Sequence, residues 1–307
     1  MKARDGGSAN GAAPTPQTSS PGALTPSAST PAAGCLLRGA APSAARTSLL
    51  TDAFTKGHPA LVAYVMGGFP TRDGSLAALH ALADAGADVI ELGIPYSDPL
   101  ADGPVIRDAA DEARAAAGGA FGLAETIALA ADFIAESGPD APPVVLMGYL
   151  NPLMRMGFPK VASALREAGV AGVIVPDLPP DMAGPWLAAS AGIDTVFLAA
   201  PTSTPQRLAK VGEMSGGFVY CVSTTGVTGE RAELPTELAD LVGRVQGSTP
   251  LPVAVGFGVS TPDQAASVAR VADGVVVGSA IVRRQRDAAD LASFVGELAA
   301  AVHASRQ

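Results

Sequence analysis

The sequence is poor in several residue types, and each shortage excludes a class of protein. Two cysteines among 307 residues are too few for a disulfide scaffold, and three histidines leave little for a histidine-based metal centre. The chain has only 20 basic residues and 29 acidic ones, and this excess of negative charge argues against a nucleic acid or an anionic membrane as the main partner. No apolar run approaches the roughly 18–20 residues of a membrane span. We therefore expect a cytoplasmic globular protein without a metal.

Residues 1–44 differ in composition from the rest of the chain. They are mostly Ala, Ser, Thr, Gly and Pro, with six scattered prolines and no apolar periodicity. The segment lacks the apolar core of a signal peptide, and one arginine in its first thirty residues is few for an organellar transit peptide. Such a stretch buries too little surface to offset the entropy of ordering it. We predict a disordered extension over 1–44 and one folded domain over 45–307.

Short β-branched runs alternate with Ala- and Leu-rich segments of helical period throughout the folded part. The predicted strands are Leu61–Met66, Asp88–Leu92, Pro143–Met147, Ala171–Val175, Thr195–Leu198, Phe218–Val222, Val253–Val255 and Gly274–Val277. The clearest predicted helices are Leu76–Ala85, Phe158–Ala168, Pro180–Ala191 and Pro262–Val271. Thr204-Pro205 and Thr261-Pro262 are helix-start signals, and Gly86 and Gly169 are helix-end signals.

The strand pattern indicates an α/β fold with a parallel sheet, because each run is apolar on both faces rather than alternating. Eight strand–helix units in roughly 250 residues match a single (β/α)₈ TIM barrel. A doubly wound open sheet is the alternative, but it usually has fewer strands, and no Gly-x-Gly-x-x-Gly motif follows the first strand here. In a TIM barrel the chemistry lies on loops that follow the strands.

The loop after the second strand, residues 92–104, is long and contains several carboxylates. Glu91 precedes it, and Asp98 and Asp102 lie within it among Gly and Pro. The aspartates could instead cap turns or the next helix, and Glu91 could face solvent. At the barrel rim, however, Glu91 is expected to point into the mouth, where partial desolvation would raise its pKa and suit it to acid–base catalysis.

A phosphate site is predicted after the last two strands. Gly256-Phe-Gly-Val-Ser260 follows the seventh strand and Gly278-Ser-Ala-Ile-Val282 follows the eighth. Glycines there let backbone N–H groups approach an anion at a helix N-terminus without a cationic side chain. The loop over 223–235 is long, small and polar, which is typical of a segment that closes over a substrate, although surface disorder has the same composition.

The aromatic and histidine side chains give weaker signals. Tyr64 and Tyr220 lie inside strands where they face either the mouth or the core, and packing is the commoner fate. Trp186 is expected to pack on a helix outside the barrel. None of the histidines follows a predicted strand, so none is assigned to catalysis: His58, His80 and His303.

Six motifs in order resemble those of the tryptophan synthase alpha chain family, over about residues 45–290. They are Glu91-Leu-Gly-Ile-Pro-Tyr-Ser-Asp-Pro-Leu-Ala-Asp-Gly-Pro104, Leu146-Met-Gly-Tyr-Leu-Asn-Pro152, Val175-Pro-Asp-Leu-Pro-Pro180, Gly226-Val-Thr-Gly229, Val255-Gly-Phe-Gly258 and Gly278-Ser-Ala-Ile-Val282. The resemblance implies a lyase that cleaves indole-3-glycerol phosphate to indole and glyceraldehyde 3-phosphate. It also implies an alpha2-beta2 heterotetramer in which the beta chain, and not this chain, carries pyridoxal phosphate.

The resemblance places the two catalytic carboxylates on Glu91 and Asp102. It implies that the substrate pocket is formed by Tyr64, Tyr220, Thr228, Gly229, Phe257, Gly258, Gly278 and Ser279. Of these, Gly229, Gly258, Gly278 and Ser279 are implied to bind the phosphate through their backbone. No metal and no cofactor are expected in this chain.

The sequence departs from the family pattern at two places. Met66-Gly-Gly-Phe-Pro70 stands where many members have Thr-Ala-Gly-Asp-Pro, and Thr224-Thr225 stands where some have an arginine. The first change affects polar contacts expected near the partner interface, and the second affects loop closure. A stand-alone indole-3-glycerol phosphate lyase and another phosphate-binding barrel enzyme are the alternative functions.

Overall fold

The structure is a computed structural model that describes residues 48–222, 236–256 and 258–306. The predicted extension over 1–44 lies outside these residues. The strands are β1 (Ala60–Met66), β2 (Val89–Gly93), β3 (Val144–Met147), β4 (Gly172–Ile174), β5 (Asp194–Val196), β6 (Leu198–Ala199), β7 (Val219–Val222), β8 (Val253–Gly256) and β9 (Gly274–Val277).

Helices follow or precede the strands along the chain. They are α1 (Leu49–Ala53), α2 (Arg72–Asp84), α3 (Pro104–Ala116), α4 (Leu123–Ser137), α5 (Leu150–Met156), α6 (Phe158–Glu167), α7 (Gly184–Ala189), α8 (Pro205–Met214), α9 (Thr236–Gln246), α10 (Pro262–Ala269), α11 (Ser279–Val282) and α12 (Ala288–His303). Short 3₁₀ helices cover Pro180–Met182 and Ala304–Arg306. None of the described helices combines the length and the apolarity that a bilayer span requires.

All strand pairs are parallel, in the order β5-β4-β3-β2-β1-β9-β8-β7-β6. The two ends of this order, β5 and β6, are separated in the chain by Phe197 alone. The N–H of Phe197 donates to the hydroxyl of Ser215 instead of to a neighbouring strand, which interrupts the ladder there. The predicted fifth strand is thus present but divided, and the TIM barrel is confirmed.

The strands are buried on both faces because each face contacts a different apolar cluster. In β1, Leu61 and Val65 pack in the large cluster between sheet and helices, whereas Val62 points into the barrel. The lower interior is filled by β-branched and aromatic side chains, and Leu50 of α1 packs in the same cluster. This closed apolar floor leaves the other end of the barrel for the site.

The predicted helix signals are confirmed in detail. The side chains of Thr204 and Thr261 accept hydrogen bonds from the N–H groups of Arg207 and Gln264. Gly86 and Gly169 have φ values of 92° and 76°, a backbone region that favours glycine after a helix.

The predicted single helix over Pro180–Ala191 is wrong. A 3₁₀ turn ends at Met182, and a new helix begins at Gly184, whose next residue is Pro185. Proline lacks the N–H that a continuing helix needs, so the helix restarts there. Trp186 packs as predicted: it is fully buried, and its indole N–H donates to the hydroxyl of Thr195 at 2.9 Å.

Candidate active site

Glu91 lies inside the barrel, on the face of β2 that points away from the helices. Its flanking residues Ile90 and Leu92 pack in the outer cluster, so Glu91 points to the interior, beside its register partner Tyr64. The side chain is only 1% exposed. The expectation that Glu91 enters the mouth of the barrel is met, and the alternative that it faces solvent is wrong.

The carboxylate of Glu91 is held in an unusual electrostatic state. Its two oxygens are the only buried side-chain polar atoms in the described part of the chain that have no hydrogen-bond partner. Desolvation, reinforced by the negative charge of Asp102, raises the pKa of Glu91 to about 8. A carboxyl group that stays protonated at neutral pH is suited to donate a proton.

Asp102 lies at the end of the loop that joins β2 to α3, and it is half-buried. Burial raises its pKa, while a hydrogen bond from Tyr149 and the charge of Arg107 act in the opposite direction. Asp98, in the same loop, is exposed and accepts a hydrogen bond from the hydroxyl of the neighbouring Ser97. Of the two loop aspartates, only Asp102 faces Glu91.

Tyr149 is a site residue that the sequence analysis did not identify. Its phenol donates to the carboxylate of Asp102, and its oxygen accepts from the N–H of Ala101 at 2.9 Å. Its ring stacks on Tyr96, with centroids 5.3 Å apart. The available signal was its place directly after β3, inside the motif that ends at Pro152.

Tyr64 and Tyr220 occupy equivalent places on β1 and β7. A Cβ atom on Gly93 would lie 2.1 Å from the phenol oxygen of Tyr64, and one on Gly256 would lie 2.4 Å from that of Tyr220. Each phenol therefore fills the space that a glycine on the next strand leaves open. Burial raises the pKa of both phenols, and the charges of Glu91 and Asp102 raise it further. Both tyrosines therefore line the cavity that contains the carboxylates.

The predicted phosphate end is described in part. Gly278 precedes α11, and its carbonyl accepts from the N–H groups of Ile281 and Val282. The first N–H groups of a helix have no partner within it, so those of Ser279 and Ala280 are available within α11 to bind an anion. A Cβ on Gly278 would lie 3.8 Å from Tyr64. Tyr64 is the register partner of Glu91, so the phosphate end lies beside the catalytic carboxylates.

Of the other predicted pocket residues, Gly258 is described by the structure. Gly258 follows β8 and has a φ of 65°, a region that favours glycine. Thr228, Gly229 and Phe257, together with Thr224-Thr225, lie outside the described residues.

The loop after β1, where the sequence departs from the family pattern, is held by Gln285. The buried amide of Gln285 accepts from the N–H of Met66 at 2.9 Å and donates to the carbonyls of Met66 and Phe69 at 2.7 and 2.9 Å. Phe69 is buried, and the guanidinium of Arg286 lies 4.7 Å from its ring centroid. The apolar replacement in this loop is thus accommodated by residues that follow α11.

Comparisons with known proteins agree with this geometry. The family model described as tryptophan synthase alpha chain matches residues 50–305. The chain is 47% identical over 266 residues to the tryptophan synthase alpha chain of Novosphingobium aromaticivorans, covering 84% of this chain and 98% of the relative. It is 44% identical to the tryptophan synthase alpha chain of Streptomyces avermitilis, and the match covers 87% of this chain and 99% of the relative. A structure of Mycobacterium tuberculosis tryptophan synthase superposes with a TM-score of 0.77 at 43% identity. The match covers 84% of this chain and 99% of the chain in that structure.

Proposed function

The chain belongs to the tryptophan synthase alpha chain family, and from its site we propose how it carries out the cleavage of indole-3-glycerol phosphate. It is a lyase of tryptophan biosynthesis that releases indole and glyceraldehyde 3-phosphate. The family uses no cofactor, since pyridoxal phosphate resides in the beta chain. The observation that carries the proposed mechanism is the buried, unpartnered carboxyl group of Glu91.

Glu91 moves both protons of the reaction. Because its pKa is about 8, the carboxyl group is protonated at neutral pH and delivers its proton to C3 of the indole ring. The bond between C3 and the glycerol chain then breaks, and its electron pair restores the aromatic ring. The carboxylate of Glu91 takes the proton of the adjacent hydroxyl as that carbon becomes the aldehyde. The carboxyl group is thereby regenerated for the next turnover.

Asp102 stabilises the positive charge that develops on the ring nitrogen when C3 is protonated. Its carboxylate is oriented by Tyr149 and is close enough to Glu91 to raise the pKa of that group. A fixed negative group at the place where positive charge develops lowers the barrier without reorganisation during the reaction. The substrate ring then lies between the two carboxylates.

The remaining pocket residues position the two ends of the substrate. Gly258, Gly278 and Ser279 hold the phosphate through backbone N–H groups, in the place that barrel enzymes often use for it. Tyr64 and Tyr220 flank the ring end, where the charges of Glu91 and Asp102 are close enough to raise the pKa of both phenols. Thr228, Gly229 and Phe257 are assigned to the same pocket on the family pattern.

We also propose that the partner is a tryptophan synthase beta chain in an alpha2-beta2 heterotetramer, in the cytoplasm. Three large apolar side chains are exposed in the segments after β2, β3 and β4: Leu100 at 85%, Met154 at 61% and Met182 at 67%. These strands are neighbours, so the segments share one side of the catalytic end. Exposed apolar side chains grouped in this way favour a protein interface.

The proposal is tested by adding indole-3-glycerol phosphate to the purified chain, with and without a beta chain, and following indole release. Glu91→Gln should fold normally and lose about 10²–10⁴ in kcat, because an amide cannot carry protons. Asp98→Asn is the matched control in the isolated chain, since Asp98 is exposed. Absence of indole would indicate a different phosphate-binding barrel enzyme. Full turnover that a beta chain leaves unchanged would indicate a stand-alone lyase.

A further inference from the structure

A cluster of ligand-type side chains lies at the end of the barrel opposite the carboxylates. Asp88 immediately precedes β2, His58 precedes β1, and His303 is the last residue of α12. One nitrogen or oxygen atom from each lies within 4.8 Å of those of the other two. The active site occupies the carboxyl ends of the strands, so this cluster is separate from it.

Asp88 is a buried carboxylate whose orientation is fixed. Its Oδ2 accepts from the N–H of Leu61 at 2.9 Å and from Nε2 of His303 at 2.7 Å, while Oδ1 accepts from Nζ of Lys56 at 3.1 Å. Three donors therefore hold the carboxylate in place, and one of them, Nε2 of His303, belongs to the cluster.

His58 makes the kind of hydrogen bond that metal-binding histidines usually make. Nδ1 of His58 lies 3.0 Å from the carbonyl oxygen of Pro59, and because a carbonyl only accepts, Nδ1 carries the proton. Nε2 of His58 then presents a lone pair. A histidine ligand commonly donates its other ring N–H to a backbone carbonyl in this manner. The ring of His303 lies beside it, with centroids 3.9 Å apart.

We propose that His58, Asp88 and His303 form a binding site for a divalent transition-metal ion, with Zn²⁺ as the expected occupant. Two imidazole nitrogens and one carboxylate oxygen are a ligand set that suits Zn²⁺, Co²⁺ and Ni²⁺, with further positions for water. On binding, the ion replaces the proton that Nε2 of His303 shares with Asp88, and that proton passes to solvent. No metal was expected from the sequence, in which His58 and His303 lie far apart.

The role of this site is structural. The ion ties the segments before β1 and β2 to the last long helix, α12, which packs on α2 and α10. An ion that binds the folded chain and not the unfolded one raises the free energy of unfolding. Because the cluster is remote from Glu91, the metal is expected to raise the melting temperature and to leave indole release unchanged.

Lys56 distinguishes a metal site from a simple hydrogen-bonded cluster. Its ammonium group neutralises Asp88 from the side opposite His303, and so it competes with a metal for the carboxylate. Removing this charge in Lys56→Met should therefore tighten metal binding several-fold. If the cluster only held the fold together through hydrogen bonds, the same change would have no effect on a metal.

The experiment uses the full chain without an affinity tag, after treatment with a chelator. Zn²⁺ is titrated by calorimetry and by melting temperature, and Co²⁺ by its visible absorption. We expect Zn²⁺ to raise the melting temperature of the wild type, and His58→Gln or His303→Gln to weaken binding by at least about tenfold. His80→Gln is the matched control, because His80 pairs with Glu136 and lies outside the cluster.

Binding that is unchanged in both His58→Gln and His303→Gln, or a melting temperature that Zn²⁺ leaves unchanged, would overturn the proposal. If a histidine variant fails to fold, the comparison of wild type with Lys56→Met decides. Tighter binding in Lys56→Met supports the site, and equal or weaker binding contradicts it.

Discussion

Tyr149 holds Asp102 in place, because its phenol donates to the carboxylate while its oxygen accepts from the N–H of Ala101 at 2.9 Å. The contact joins the loop after β2 to the residues after β3. Asn151, two residues further on, donates to the phenol of Tyr96 in the same loop at 3.0 Å. The loop that carries the second carboxylate is therefore anchored at two points within this chain alone.

Tyr149→Phe should lower kcat by about tenfold, since a hydrogen bond to a charged group is worth roughly 1.5–3 kcal/mol. The loss should appear in kcat more than in KM, because Asp102 acts on charge that develops in the transition state. Combining it with Asp102→Asn should add little further loss. Ser97→Ala is the control, since the hydroxyl of Ser97 lies in the same loop but donates to Asp98. Equal losses in Tyr149→Phe and Ser97→Ala would contradict a role of Tyr149 through Asp102.

The burial of Glu91 predicts an unusual dependence of stability on pH. Its pKa is about 8 in the folded chain, against a usual value of 4.5. Between these values the folded chain binds a proton that the unfolded chain releases, so the free energy of unfolding falls as pH rises. Glu91→Gln removes this loss. It should be more stable than the wild type at pH 8 by a few kcal/mol, and the gap should shrink towards pH 5. Chemical denaturation of both proteins at several pH values measures this difference in the free energy of unfolding. A difference that does not change with pH would contradict the raised pKa.

The fit between Tyr64 and Gly93 predicts that this glycine tolerates no side chain. Gly93→Ala would place a Cβ 2.1 Å from the phenol oxygen, and such overpacking costs about 1–3 kcal/mol. Gly296→Ala is the control: Gly296 lies within α12 with nothing near its added Cβ, so alanine should stabilise the helix by about 0.5–1 kcal/mol. Melting temperatures that fall equally in both variants would contradict the close fit.

The exposed apolar side chains predict where a beta chain docks. Leu100→Asp or Met182→Asp should weaken beta-chain binding by about tenfold or more, because a buried interface excludes an unpaired charge. Leu49→Asp is the matched control, since Leu49 is 63% exposed but lies before β1, at the other end of the barrel. Activation of indole release by added beta chain is the measurement. If Leu49→Asp abolished activation while Leu100→Asp and Met182→Asp were activated normally, the proposed position of the beta chain would be refuted.

Most of the architecture was predictable because its signals are local. Apolar runs mark the strands, Thr204 and Thr261 mark helix starts, and Glu91 stands out once the ends of the strands are known. By contrast, Gln285 contacts Met66 although 219 positions separate them in the sequence, and nothing near Gln285 in the sequence indicates that contact. Pro185 was a local signal that could have divided the predicted helix over 180–191.

In the site, too, local sequence signals were readable and contacts between distant segments were not. The family pattern points to Glu91 and Asp102, and the placement of Asp102 depends on Tyr149, which a rule restricted to carboxylates and glycines overlooks. His58 and His303 were set aside because neither follows a strand, yet the fold joins them through Asp88 at the other end of the barrel. Contacts between distant segments arise from packing, so single residues do not reveal them.

The proposed mechanism requires Glu91 to enter the reaction as a protonated carboxyl group. The decisive measurement is the pH profile of kcat/KM for cleavage of indole-3-glycerol phosphate by the wild-type chain, because this profile reports the ionisable groups of the free enzyme. We expect kcat/KM to fall as pH rises through about 8, the pKa of Glu91, because the proton donor is lost. A profile that stays flat or rises through this range would contradict it.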